Sequence, residues 1–300
     1  MYSLSEHIQA IIHSLLSNQR PWKRINEMSY NFIKELKKFA EESDLLEPSI
    51  KKDLEKCIER KNGKVYSLSE HIQAIIYSLL SNQRPWKRIE DNINNIDKIF
   101  FDYDVEKIKN TEPAKFVESL KEISCGNRSI GKQMNCLKDI IKILERISKE
   151  YGTIDNYFNN HPRIKEGYPY YLAEKLADKN DAYKLKNMGI ALICEYFKNI
   201  GIDIAKPDTH IRRMLGKDIL GFSNNKEASP KEAVEYIKEI AERNGIAQKE
   251  VDILIWLYCA KGYGEICTKD NPKCGKCVIK DYCNRSNANG TQQSCIRFAA

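Results

Sequence analysis

Four cysteines crowd into one short segment near the C-terminal end of the sequence. Cys267, Cys274, Cys277 and Cys283 span 17 residues and are separated by six, two and five residues. Four thiolates spaced in this way can surround one compact metal centre. A structural zinc site usually pairs two close C-x2-C knuckles, and this segment holds only one. A disulfide pair is disfavoured in a reducing compartment. The spacing therefore favours a [4Fe–4S] cluster over zinc.

A single carboxylate, Asp208, stands directly before a stretch of helical pattern. An aspartate at this position is a natural N-cap, and the local spacing alone favours that structural role. A carboxylate can also stabilise positive charge that develops during a reaction, and it can orient or deprotonate an attacking water.

Two further segments place polar side chains beside predicted turns. Residues 185–191 (LKNMGIA) put Gly189 at a turn before an apolar helical stretch. Backbone N–H groups at such a turn can bind one phosphate, and the helix dipole favours the contact. Residues 79–83 (LLSNQ) are followed closely by Arg84 and Trp86. Taken by themselves, these two side chains suit a solvated charge and core packing.

Taken together, these segments resemble the endonuclease III branch of the helix-hairpin-helix–GPD DNA glycosylases. The segment ICTKDNPKCGKCVIKDYC is similar to the iron–sulfur loop of that family, PDTH around Asp208 to its VDTH motif, and LLSNQ to its LLSAQ. The hairpin is a variant, because Lys186 and Asn187 replace the Pro-Gly of LPGVG while Gly189 matches its second glycine. The resemblance covers about residues 65–285. It implies a base-excision-repair enzyme that acts on a damaged or mispaired base.

The resemblance also implies a role for each matching residue. Asp208 would be the catalytic carboxylate, and Gln83 would fill the space left by the extruded base. The family's cluster is structural, and the loop between its first two cysteines meets the DNA backbone. The DNA-binding residues implied here are Gln83, Arg84, Trp86, Lys186, Asn187, Met188, Gly189, His210, Lys269 and Lys273. A monovalent cation held by the hairpin carbonyls is a further expectation.

One departure from the family concerns its reactive lysine. Bifunctional members carry a lysine on the helix after the hairpin, which attacks the sugar and forms a Schiff base. The matching stretch here is Ile190-Ala191-Leu192, which has no amine. We therefore predict a monofunctional glycosylase that leaves an abasic site. Three alternatives stay open: a bifunctional glycosylase/AP lyase that uses an unassigned lysine, a non-catalytic iron–sulfur DNA-binding protein, and a zinc protein.

The rest of the sequence has mainly helical periodicity. Ser229-Pro230-Lys231-Glu232 is a capping box with proline at the first helical position. No run of alternating residues bounded by hairpin turns is present, so we predict an all-α fold. The clearest apolar stripe steps by three and four residues: Met134, Leu137, Ile141, Leu144 and Ile147.

A near-perfect internal repeat lies at the N-terminal end. Residues 2–25 and 66–89 agree at 23 of 24 positions, and the one change is His13 against Tyr77. Solenoid repeats diverge while keeping their pattern, and two copies are too few to stack. We expect the second copy to take the functional place. Residues 1–25 would then be a duplicated helical segment without a function of its own.

Composition limits the class of protein and its partners. The 300 residues carry 49 Lys and Arg against 42 Asp and Glu, a formal charge of +7 that permits a polyanionic partner. No apolar run is long enough to span a bilayer, and the start lacks the features of a signal peptide. We expect a cytoplasmic, nucleoid-associated monomer acting on double-stranded DNA that contains a lesion or mismatch. The predicted domains are a six-helix barrel with the helix-hairpin-helix at 65–204, and an iron–sulfur cluster domain at 26–64 plus 205–300.

Overall fold

The computed structural model describes residues 32–289 of the chain. The duplicated segment predicted at residues 1–25 lies outside this range. Within it every regular element is helical, which confirms the all-α prediction. None of the described helices is both long enough and apolar enough to cross a membrane.

Sixteen helices and three short 3-10 turns make up the described part of the chain. The helices are α1 (32–42), α2 (Pro48–Lys61), α3 (Leu68–Leu80), α4 (Trp86–Glu90), α5 (Ile93–Ile99), α6 (Val105–Asn110), α7 (Pro113–Glu122), α8 (Ile130–Tyr151), α9 (Ile154–Asn160), α10 (Pro162–Lys165), α11 (Pro169–Ala177), α12 (Ile190–Asn199), α13 (Thr209–Met214), α14 (Pro230–Asn244), α15 (Gln248–Cys259) and α16 (Asn284–Asn289). The 3-10 turns are Phe101–Tyr103, Cys274–Lys276 and Lys280–Tyr282.

Local sequence signals determine where several helices begin. The predicted capping box forms at α14, where the side chain of Ser229 accepts from the backbone of Glu232 and Glu232 bonds back to Ser229. A second box opens α3 with Ser67 and Glu70. The apolar stripe predicted on α8 is buried. The spacing by three and four residues therefore correctly predicted which side of this helix faces the core.

The buried side chains form two hydrophobic cores. The first is built mainly from residues 66–204 and centres on α3, α8 and α12. The second joins α1 to α13, α14, α15 and the cysteine segment. The chain crosses from one to the other between Ile204, which belongs to the first core, and Ala205, which belongs to the second. We call this crossing and the residues that follow it, up to Asp208, the seam.

Buried ion pairs hold the two cores together behind the seam. The Lys198 ammonium of α12 donates to the carboxylate of Asp252 in α15, and both side chains are almost fully buried. Lys249, also in α15 and fully buried, donates to the backbone oxygens of Asp53 (2.6 Å) and Lys198 (2.9 Å) and pairs with the Asp53 carboxylate. Burying a charge is costly unless it is paired and hydrogen-bonded, and these partners meet that requirement.

Candidate active site

Asp208 is the last residue of the seam and directly precedes α13. Its Oδ1 accepts hydrogen bonds from the backbone N–H groups of His210 (2.8 Å) and Ile211 (3.1 Å), so it is the N-cap of the helix. The side chain is half-buried. The cap uses Oδ1 alone, and Oδ2 forms no hydrogen bond with any other residue in the range 32–289. One oxygen therefore holds the helix while the other is free for a second task.

The carboxylate of Asp208 affects the pKa values of two neighbouring groups, Asp252 and His210. Burial raises the pKa of Asp252 to about 6, with Lys198 opposing the rise and the negative charge of Asp208 adding to it. Burial lowers the pKa of the His210 imidazole, against the attraction of Asp208. The carboxylate of Asp208 is thus close enough to influence both groups, in surroundings that solvent screens only in part.

The side chain of Lys206, in the seam, contacts the residue that directly follows α3. Its Nζ donates to Ser81 Oγ at 3.1 Å and pairs with Glu195 of α12 at 3.5 Å. Only 14% of the Lys206 side chain and 15% of the Glu195 side chain is exposed. The sequence analysis did not select either residue. The available signal for Lys206 was its place two residues before Asp208.

The predicted wedge residues lie on the turn that follows α3. Gln83 is exposed and has a left-handed backbone with φ 53°, which directs the chain sharply around the turn. Arg84 is half-buried, and its Nε has no hydrogen-bond partner within the described part of the chain. Trp86 packs edge-on against Tyr77, with the ring centroids 6.2 Å apart. Gln83 is the most accessible of the three predicted contacts, while Trp86 serves at least partly as packing.

The hairpin before α12 exposes some of its predicted DNA-binding residues and hides one. Lys186 and Asn187 are exposed, and Asn187 has a left-handed φ of 58°. Gly189 is the N-cap of α12, and a Cβ there would meet no atom within 4 Å, so the space beyond the helix terminus is open. Met188 is only 1% exposed because its side chain packs into the first core. Its side chain therefore cannot reach DNA in this conformation.

The ammonium group of Lys184 binds a backbone carbonyl of the hairpin. The Nζ of Lys184 donates to the backbone oxygen of Met188 at 2.7 Å. The N–H of Met188 in turn donates to the Leu185 oxygen at 3.2 Å. Burial lowers the pKa of Lys184. One backbone carbonyl of the hairpin, that of Met188, is therefore already bound by a lysine of the chain itself.

The four cysteines of the C-terminal segment surround one small cavity. Cys267, Cys274, Cys277 and Cys283 all line it, together with apolar side chains that include Ile219. Within residues 32–289 no three histidine, cysteine or acidic side chains converge closely enough to hold a single metal ion. Four thiols around one cavity with apolar lining are a donor set that suits a thiolate-bound metal centre.

Helix α13 connects the carboxylate to the cysteine segment. Asp208 caps its N-terminus, and Arg213 near its other end donates from Nη1 to the Sγ of Cys267 at 3.3 Å. A hydrogen bond from Cys259, together with the Arg213 guanidinium, lowers the pKa of Cys267 to about 6. The six residues of α13 thus connect Asp208 to the cysteine segment.

The two lysines predicted to meet the DNA backbone lie in this segment. Lys269 and Lys273 are both exposed, on the stretch between the first two cysteines. Lys273 pairs loosely with Glu265, with 3.7 Å between Nζ and Oε2. An exposed pair of this kind contributes little stability and can exchange partners readily.

Comparison with solved structures identifies the fold. The chain adopts the helix-hairpin-helix DNA glycosylase fold and is similar to the 8-oxoguanine DNA glycosylase of Thermotoga maritima, with a TM-score of 0.53 and 18% identity over 78% of this chain and 98% of the other. A second similar structure is the Methanocaldococcus jannaschii 8-oxoguanine glycosylase/lyase bound to a 15mer DNA containing 8-oxoguanine, with a TM-score of 0.49, 19% identity and coverage of 76% and 95%. No protein-family model matches the chain, and a search of curated proteins found no match.

Proposed function

We propose that the protein is a DNA glycosylase of base excision repair that hydrolyses the N-glycosidic bond of a damaged or mispaired base. The observation that carries this proposal is the position of Asp208. It lies at the seam between the two cores, keeps one carboxylate oxygen outside the helix cap, and does so in a fold shared with a DNA glycosylase. The endonuclease III-like branch of that superfamily remains the sequence-based assignment.

The carboxylate of Asp208 would act on the developing sugar cation. Its unused oxygen stabilises the positive charge that builds on the deoxyribose as the base leaves, and it can orient or deprotonate the attacking water. Because Oδ1 is fixed by two backbone N–H groups, the charge needs no reorientation during the reaction. Preorganised charge of this kind is the largest single contribution in many enzymes.

The DNA would be held on both sides of the seam. The open N-terminus of α12, with Lys186, Asn187 and Gly189, suits one phosphate. The exposed Gln83 on the turn after α3 suits the gap left when the target base leaves the stack. Extruding a base costs least at a mismatched or damaged pair, so the flipping step itself favours such sites.

Cys267, Cys274, Cys277 and Cys283 would hold a [4Fe–4S] cluster. The support is that all four thiols line one cavity and have the spacing described above. Bound there, the cluster supplies a structural crosslink for the segment that carries Lys269 and Lys273. Through Arg213 and α13 the same segment supports Asp208.

Base release on defined duplexes tests the proposal. Anaerobically purified protein is incubated with duplexes that each carry one lesion or mismatch, and half of each sample receives alkali to cut abasic sites. Strand cleavage after alkali with wild type, and its loss in Asp208→Asn, is the expected result. DNA binding by both proteins with no base released from any duplex would overturn the proposal and favour the non-catalytic alternative.

A further inference from the structure

The internal repeat supplies two copies of a segment for which the described fold has one position. In that fold residues 66–89 contain α3, the turn after it and nearly all of α4. Residues 2–25 agree with them at 23 of 24 positions. A contact that depends on an identical side chain is therefore available to either copy.

The position of α3 is in the middle of the first core. The His71 ring nitrogen Nδ1 lies 2.7 Å from the Tyr196 hydroxyl of α12, and Leu79 is fully buried. The Ser81 hydroxyl accepts from Lys206 of the seam at 3.1 Å. The first copy has the same residue types at the three matching positions: His7, Leu15 and Ser17. Either copy in this position would make the same contacts with α12 and the seam.

The single difference between the copies affects one polar contact. The Tyr77 hydroxyl donates to the Asp97 carboxylate at 2.6 Å, and its ring packs edge-on against Trp86. The matching residue of the first copy is His13. An imidazole is shorter than a phenol, so it would not reach Asp97 from the same backbone position. Loss of a hydrogen bond to a charged group disfavours the first copy by roughly tenfold or more.

The chain between the repeat and α1 is long enough for an exchange of the copies. The Tyr263 hydroxyl donates to Glu90 of α4 at 2.9 Å. The adjacent Gly264 lies against the Phe39 ring of α1. From Phe39 to the first residue of α1 is about 10 Å. Residues 26–31 with their flanking bonds span at most about 25 Å. A first copy in the α3 position could therefore still connect to α1 where it now lies.

An exchange would close a loop elsewhere in the chain. With α2 kept in place, residues 62–90 would form a loop fixed at both ends. Closing a flexible loop of that length lowers the equilibrium constant by roughly 150-fold. Together with the Tyr77 contact, this favours the second copy by roughly 1000-fold or more. One unpaired charge buried in the second copy is enough to exceed that margin.

We propose that residues 2–25 are a spare copy of α3 and α4, which takes their position in the fold when the second copy cannot pack there. The exchanged form keeps the predicted wedge residues, because Gln19 and Arg20 match Gln83 and Arg84. This departs from the expectation that the first copy has no function of its own. It is independent of the proposed enzymatic activity, because the exchange concerns folding alone.

A buried aspartate placed in either copy tests the exchange in the full chain. Leu79→Asp puts a carboxylate at a fully buried position of α3, and Leu15→Asp makes the matching change in the first copy. The two single variants are compared with the double variant and with Leu144→Asp on α8, a fully buried leucine outside the repeat. Thermal unfolding reports whether each protein is folded. Hydrogen exchange with mass spectrometry follows the copies separately, because peptides with His13 and peptides with Tyr77 differ in mass.

We expect cooperative unfolding for Leu79→Asp and for Leu15→Asp, and its loss in the double variant and in Leu144→Asp. In Leu79→Asp, slow hydrogen exchange should move from peptides with Tyr77 to peptides with His13. An unfolded Leu79→Asp protein overturns the proposal, because the first copy has then failed to replace the second. A folded Leu79→Asp protein whose slow exchange stays with the Tyr77 peptides also overturns it. So does a folded double variant, since neither copy is then needed intact.

Discussion

Two substitutions of Asp208 separate its structural role from its chemical one. Asparagine keeps a side-chain oxygen that can accept from the N–H groups of His210 and Ile211, and it caps helices about as well as aspartate. Alanine removes the cap and the charge together. If the carboxylate acts on the sugar, both variants lose base release, and only the alanine variant also loses stability.

The structure sets the size of each effect. Loss of the two cap hydrogen bonds in Asp208→Ala is expected to cost about 1 kcal/mol, with a range of roughly 0.5–2 kcal/mol. For a chain of 300 residues that lowers Tm by about 1–3 °C. Removing one preorganised charge-stabilising group lowers kcat by about 100- to 1000-fold, or roughly 3–4 kcal/mol. Asp208→Asn should show the second loss with little of the first.

Single-turnover base release and thermal unfolding of the same protein samples measure the two effects. The lesion duplex that wild type cleaves best after alkali is used for all three proteins. Base release by Asp208→Asn within about tenfold of wild type would refute the catalytic role and leave Asp208 as a helix cap. A large stability loss in Asp208→Asn would refute the claim that the amide replaces the cap, and the activity result would then need a second charge-removing variant.

Three further predictions concern the cluster, the hairpin and a buried histidine. Cys274→Ser should lose the absorbance at about 400 nm that wild type shows after anaerobic purification, whereas Cys136→Ser on α8 should keep it; a colourless wild type that retains zinc would contradict the cluster. In titrations of each protein with duplex DNA, Lys184→Met should bind DNA more weakly than the exposed control Lys175→Met. The reason is that the Met188 oxygen loses its donor at 2.7 Å. Equal affinities of the two variants would contradict this. Burial lowers the pKa of His71, so below pH 6.5 the unfolded chain binds a proton that the folded one does not. The free energy of unfolding by urea should therefore fall between pH 7 and pH 5, and less steeply in His71→Gln; identical slopes would contradict the assignment.

Features that depend on neighbouring residues were readable from the sequence. The capping box of Ser229 and Glu232 and the apolar stripe of α8 involve residues three or four apart, so their geometry follows from the helix period alone. The cysteine spacing is local in the same sense, and it predicted a common centre for thiols that line one cavity. Asp208 before a helical stretch predicted a cap, which the structure shows.

The groups around Asp208 come together only through long-range packing. Lys206 meets Ser81 across 125 positions of sequence, and Arg213 meets Cys267 across 54. Neither contact produces a periodic pattern in the sequence, because each depends on how distant segments of the chain pack against each other. The burial of Met188, which the motif alone presented as a DNA contact, has the same cause.

The sequence by itself thus determined the helical class and the ends of several helices, and it predicted which residues would bind metal or act on a sugar. Only the tertiary structure decided which of these residues face the seam, which oxygen of Asp208 is free, and which side chains Lys206 contacts. The physical reason is that capping and amphipathic burial act within one or two helical turns, whereas a site at the seam between two cores depends on side chains brought together from distant segments.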